Sequence, residues 1–270
     1  KGVVIGNDAA NFCAGANLGL ALFAANLAAW KDLDDFIGLG QDTYQTLKFS
    51  EVPIVAASAG LCLGGGAEVL MHCDAVQAHS ESYVGLVEVG VGIIPAWGGC
   101  KEYLGRVKEF GLVSNGPMGA VMKAFEVIGT AQVAKSADQA RTMGFLGPND
   151  RITMNRDRLL SDAKKTLIEL SKDYSPPEPR TYSLPGPSGK AALELAVNDL
   201  ALSGKVTPHD IVVTNALAEI LTGGETDITD ILEEDDILAM EKNAITTLAK
   251  NTDTLDRMQH MLETGKPLRN

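Results

Sequence analysis

Pro53-Ile-Val-Ala-Ala-Ser-Ala-Gly-Leu-Cys-Leu-Gly-Gly-Gly-Ala-Glu68 is the stretch on which the fold turns. Pro53 to Ser58 is short, apolar and opened by proline, which reads as a buried strand. Three glycines, Gly64 to Gly66, then lead into a short helix. A strand turning on small residues into a helix is the repeating step of a layered α/β structure. Working outward, Lys1-Gly-Val-Val-Ile-Gly6 reads as a strand, residues near 18 to 30 and 33 to 49 as helices, and Ala75 to His79 as a further strand.

Beyond about Tyr103 the strand signals fade and amphipathic helices take over, as in Arg158 to Leu170. The expected organisation is an α/β core over residues 1–150 and a helical C-terminal region over 151–270. Ser175 to Gly189, dense in Pro and Gly, is expected to be a non-helical connector. Helices are expected near Lys190 to Leu202, His209 to Leu221, Thr229 to Lys250 and Thr254 to Glu263. The segment from about Val107 to Lys123, carrying Gly111, Gly116 and Gly119, reads as a surface loop or a lid.

Composition removes several function classes. The 270 residues are 45% hydrophobic, enough for a sizeable core, and 23 basic against 35 acidic residues give a formal charge of -12. That balance opposes a nucleic-acid footprint, which needs a basic stripe. Leu18 to Trp30, the longest apolar run, is interrupted by Asn26 and falls short of the roughly 20 residues of a membrane span. Cys13, Cys62, Cys73 and Cys100 lack paired metal-ligand spacing and read as reduced thiols of a cytoplasmic protein. The opening strand without an initiator Met points to a fragment or processed product.

Two loop-to-helix junctions invite chemistry: Phe12-Cys-Ala-Gly-Ala-Asn-Leu18 and Gly60 to Glu68. Small residues admit a close ligand, and a helix N-terminus offers unpaired N–H groups; two such groups aimed at one point form an oxyanion hole. Either junction alone reads more readily as chain reversal or close packing. No phosphate-loop or dinucleotide fingerprint occurs. Glu68, in the first turn of its helix, is compatible with simple dipole complementarity. Glu88 is harder to dismiss, a lone acid in Gly85-Leu-Val-Glu-Val-Gly-Val-Gly-Ile-Ile-Pro95 where desolvation is expensive without a task or partner. The histidines show no metal spacing, and Glu233-Glu-Asp-Asp236 reads as a solvated cluster at a helix N-terminus.

Together the two junctions, Gly85 to Glu88, Gly92-Ile-Ile-Pro95 and Gly98-Gly99 resemble the enoyl-CoA hydratase/isomerase (crotonase) superfamily, most of all the crotonase domain of fused 3-hydroxyacyl-CoA dehydrogenase/enoyl-CoA hydratases. Ser136 to Ala140, Gly144 to Leu146 and Arg257 to Pro267 look like later segments of that family. The resemblance implies a ClpP-like spiral of ββα units followed by helices, with the N-terminal unit missing. It implies that the N–H groups of Ala16 and Gly65 hold a thioester oxygen, that Ala14 and Gly64 bind substrate, and that Glu68 and Glu88 flank a water; Trp97 reads either as core packing or as a substrate-binding wall of the acyl pocket. Asn17, where relatives have Asp, and Ala96-Trp97 depart from the pattern. Keeping both acids favours hydration over isomerisation.

From the same resemblance follow the remaining expectations. The substrate is a coenzyme A thioester of fatty-acid β-oxidation, and no cofactor belongs to this chain, NAD being required only by an upstream dehydrogenase. No metal and no nucleic acid is expected. The partners expected are further copies of the chain in a homo-oligomer, and a thiolase in a β-oxidation complex.

Overall fold

The computed structural model describes residues 1–114 and 116–270. Strands β1 (Val3–Ile5), β2 (Ile54–Leu63), β3 (Ala75–Gly85) and β4 (Arg151–Thr153) form one parallel sheet in that order. Helices α1 (Leu18–Asn26) and α2 (Trp30–Lys48) cross from β1 to β2, and α3 (Gly65–His72) crosses from β2 to β3. A crossover helix is what parallel pairing demands. Helices α4 (Gly99–Glu109), α5 (Pro117–Gly129) and α6 (Ala137–Met143) precede β4. Most of the segment expected to be a loop or lid is therefore helical; Asn115 within it lies outside the described residues.

Both long strands run past their expected ends. Val55 to Ser58 pair with Ala75 to Ala78, the register then shifts, and Gly60 to Leu63 pair with Ser82 to Gly85. The shift centres on Gly60, whose φ of +62° places the site of a Cβ 2.3 Å from the Ala10 carbonyl, so only glycine fits. Sequence reading stopped at Ser58 because the second half is carried by small residues.

Helix α7 (Leu159–Leu170) covers one face of the sheet, with Leu159 and Ala163 packed on Val55, Ala57 and Ala59. On the other face, Ala56, Ala78 and Val84 join the main core. That same core takes in residues of α8 (Gly186–Leu202), α9 (Pro208–Thr222), α10 (Glu234–Leu248) and α11 (Thr252–Thr264), so residues on both sides of position 150 share one sheet and one core. Ser175 to Gly189 departs from expectation twice. Thr181–Tyr182 forms β5, paired antiparallel with β6 (Leu232–Glu233), and Gly186 to Gly189 are already the first turn of α8. Pro187 near the start of that helix explains why a Pro/Gly-rich run can be helical: proline is tolerated where its missing N–H has no partner to lose. Among the described residues no helix is long and apolar enough to cross a membrane.

Candidate active site

The first junction is held against β2 as an extra strand. Phe12 N–H donates to the Ala59 carbonyl at 2.8 Å, Cys13 N–H to the Leu61 carbonyl at 3.0 Å, and Leu63 N–H back to the Cys13 carbonyl at 2.9 Å. Asn17 then caps α1, its side chain accepting from Gly19 and Leu20 N–H, which is the role an Asp would also serve. The second junction lies directly opposite. A Cβ on Gly15 would be 4.0 Å from Gly65 N, one on Gly64 would be 3.6 Å from Gly15 Cα, and one on Gly66 would strike Cys13 at 2.8 Å. Two glycine-lined turns thus approach within contact of each other. Among the described residues neither Ala16 N–H nor Gly65 N–H finds a protein acceptor.

Glu68 and Glu88 meet at this point. Glu68 is buried, and its Oε1 accepts Trp97 N–H and Gly99 N–H, each at 2.9 Å. Removal from water pushes its carboxyl up to about 7, against the pull of those two donors. Glu88 opens a single 3₁₀ turn, Glu88–Val91, and its Oε1 lies 3.1 Å from the position a Gly64 Cβ would take. Its buried Oε2 has no partner. Desolvation, and next the charge of Glu68, hold Glu88 well above the ordinary carboxylate range. Two acids so coupled titrate as a pair.

A cavity of about 470 Å³ opens from this point. Ala14, Ala16, Gly64, Gly65, Glu68, Glu88 and Trp97 all line it, so the structure gathers every expected site residue onto one wall. Apart from Asn17, the side chains of the rest of the lining are apolar, among them Leu18, Phe36, Ile37 and Ile94, with Ile245 from α10 and Met258 and Met261 from α11. Trp97 stands edge-on to Phe36 and to Tyr44, ring centroids 5.5 Å apart in both pairs. Gly40 of α2 makes this possible, since a Cβ there would fall 2.1 Å from the indole Nε1. Tyr44 in turn donates to the Gly65 carbonyl at 3.1 Å, buttressing the turn from behind. Among the described residues no group of three metal-ligating side chains occurs, and all four cysteines are free thiols.

Sequence reading missed the buried acids Glu102, Asp150 and Glu241, and misjudged Glu234. Glu233 and Asp236 form a capping box at the start of α10 as expected, but Glu234 between them is buried and paired with Lys48 and with Lys101 at 2.6 Å. A solvated-cluster reading fails there because both cations come from elements far away in the chain. No local signal could have found them.

Residues 1–109 match the model of the enoyl-CoA hydratase/isomerase family. The chain is similar over 272 aligned residues, 40% identical, to the "Probable 3-hydroxyacyl-CoA dehydrogenase" of Bacillus subtilis (strain 168), covering 100% of this chain and 34% of that protein. It is also similar to the crotonyl-CoA hydratase of Syntrophomonas wolfei, 32% identical over 163 residues, 60% of this chain and 55% of that one. Among solved structures, a carnitinyl-CoA dehydratase from Mycobacterium thermoresistibile shares the fold with a TM-score of 0.66 at 17% identity, covering 98% of this chain and 76% of that chain. The chain spans about a third of the length of the first curated relatives it matches.

Proposed function

From the chain's membership of the enoyl-CoA hydratase/isomerase family we propose that it adds water to a trans-2-enoyl-CoA thioester to give the 3-hydroxyacyl-CoA, with Glu68 as base and Glu88 as acid. The observation that carries this assignment is the asymmetry of the two acids: Glu68 Oε1 accepts Trp97 and Gly99 N–H at 2.9 Å, whereas Glu88 keeps a buried Oε2 without a partner, and donation from its own and the Val87 backbone does not offset burial and the charge of Glu68. Donors favour the ionised form and burial in an apolar setting favours the neutral one.

In this scheme the thioester oxygen lies between Ala16 N–H and Gly65 N–H. Water held by Glu68 attacks C3 as Glu68 takes its proton. The C2=C3 electron pair moves toward the carbonyl, so negative charge grows on the thioester oxygen, where preorganised donors are worth most. Glu88 then delivers its proton to C2, and the charge returns as the new C–H bond forms. The apolar wall from Phe36 to Met261 suits the acyl chain, and Lys266, between cavity-lining Gly265 and Pro267, is within reach of a coenzyme A phosphate. A 3-hydroxyacyl thioester is what a 3-hydroxyacyl-CoA dehydrogenase oxidises, and we place the chain as the hydratase portion of such a larger β-oxidation enzyme.

The test is the loss of enoyl-thioester absorbance when crotonyl-CoA is added, with Glu68→Gln and Glu88→Gln alongside. Hydration abolished by both substitutions is expected. A double-bond shift instead of water addition, or near-parental rates in both variants, would remove the proposal. Because Glu68 must be ionised and Glu88 protonated, kcat/KM should rise as pH passes about 7 and fall again when Glu88 ionises.

A further inference from the structure

The turn Pro95 to Gly99 supplies both N–H groups that Glu68 accepts, and it is itself clamped from distant elements. Gln41 of α2 donates from one amide nitrogen to the Ala96 carbonyl at 2.9 Å and to the Leu238 carbonyl of α10 at 2.8 Å. Glu241 of α10 accepts Gly98 N–H on Oε2 at 2.8 Å and Lys101 N–H on Oε1 at 2.9 Å. The two carboxylates interleave along one stretch of backbone, Glu68 taking residues 97 and 99 and Glu241 taking 98 and 101.

Glu241 is wholly buried, and among the described residues no side-chain cation bonds it. Lys101 bonds Glu241 through its backbone alone; its ammonium is hydrogen-bonded to Glu102, Glu234 and Gln45 and acts on Glu241 only as a nearby charge. An amide would carry no charge into the interior, at lower desolvation cost, although with one acceptor oxygen for the two N–H groups. A carboxylate facing Glu68 is a costly support, which argues for a task. Glu241 is absent from the cavity lining, so it acts through other groups.

Resting on the hydration reading above, we propose that Glu241 is a positioning residue for the acid–base pair: it fixes the turn that aims Glu68 and, once ionised, opposes ionisation of Glu88. Repulsion in this cluster supports the electrostatic half. Burial, then the charge of Glu68, push Glu241 up to about 8, and Glu241 in turn contributes to the raised position of Glu88. The groups facing it are Glu68 of α3, Glu88, Cys100 and Lys101 of α4, and Tyr182 of β5. Above its own titration Glu241 is a second negative charge against ionisation of Glu88, so removing it must let Glu88 ionise at lower pH.

Glu241→Gln and Glu241→Asp separate the two halves in the full chain with crotonyl-CoA. Gln offers one acceptor for two N–H groups and carries no charge. Its kcat should fall on the order of 10-fold or more from misaimed groups, with KM held within about threefold and the alkaline limb of kcat/KM moved to lower pH. Asp keeps the charge but not the reach, so kcat should fall while the alkaline limb stays. Parental kcat and profile in both variants would overturn the proposal, and so would a fall in kcat with an unmoved alkaline limb in Glu241→Gln. If Glu241→Gln does not fold, Glu241→Asp decides: reduced kcat with KM and alkaline limb kept supports the proposal, and parental kcat defeats it. Parental protein that fails to hydrate crotonyl-CoA would sink the hydration reading instead. Titration of the carboxylic-acid C=O stretch in the infrared would then still report whether Glu88 ionises at lower pH in Glu241→Gln.

Discussion

Two groups of buried acids adjoin the first turn of α4, and their carboxyls are shifted in opposite directions. Glu68, Glu88 and Glu241 gather without a cation, and all three are held above the ordinary carboxylate value. One residue further along, Glu102 is met by Lys48 at 2.6 Å, Lys101 at 2.7 Å and Arg180, and Glu234 by Lys48 and Lys101. There the opposite charges overcome desolvation, and both acids lie below their usual range. Desolvation is common to both groups, so what differs is pairing. The unpaired group is primed to exchange protons at neutral pH, whereas the paired group stays ionised and holds α2, α4, α10 and the chain around Arg180 together.

The sharpest way to break this contrast is to neutralise one acid from each group. Glu88→Gln or Glu68→Gln should reduce kcat by about 10²- to 10⁴-fold, while stability measured by urea unfolding stays level or rises, because an uncompensated buried acid has gone. Glu102→Gln should do the reverse. It strands cations in the interior and should cost about 3–5 kcal/mol of unfolding free energy, with turnover per folded molecule changed only a few-fold. Equal stability losses in the two experiments would erase the distinction.

The pH dependence of stability sharpens it further. For Glu102 and Glu234 the folded state binds its proton less tightly than the unfolded chain, whose value is near 4.5. Their stabilisation is present above that value and lost as pH falls through the lower folded values. For Glu68 and Glu241 the sign is opposite. Their favourable contribution is complete below 4.5 and is lost as pH rises through about 7 and about 8. Urea midpoints should therefore climb out of acid and then sag toward neutrality. Glu241→Gln should flatten the sag and leave the acid limb, and a sag of unchanged depth would contradict the assignment. Trp97→Ala should have the smallest effect on chemistry, since the bond from residue 97 to Glu68 is made by the backbone. KM for a short enoyl-CoA should rise several-fold with kcat retained, and a large fall in kcat would mean that the indole itself aims Glu68.

Part of this site was legible because its signals are local. The isolated Glu88 announces itself within a few residues, whereas the two glycine junctions and the acid in the first turn of α3 point to a site only in combination and through the family resemblance; the structure gathers all of the expected residues around one cavity. Length of strand was less legible: β2 continues through Gly60 and β3 through Ser80 and Glu81, where residue types argue for a turn. The connector at 175–189 was misread for the converse reason, since Pro and Gly at a helix start look like Pro and Gly between helices.

By itself the sequence determined the α/β layering and the two loop-to-helix turns, because strand period, glycine conformation and helix N-termini are properties of neighbouring residues, and it singled out Glu88 as an isolated acid; that Glu68 is its partner came from the family resemblance. Only tertiary structure decided which acids are neutral and which ionised, that Glu234 is buried, and that Glu241 and Gln41 clamp the turn beneath Glu68. Those outcomes depend on the distance from a carboxylate to its donors and cations. Here the partners lie on α2, α4 and α10, brought together by packing alone, and no pattern along the chain encodes such a distance.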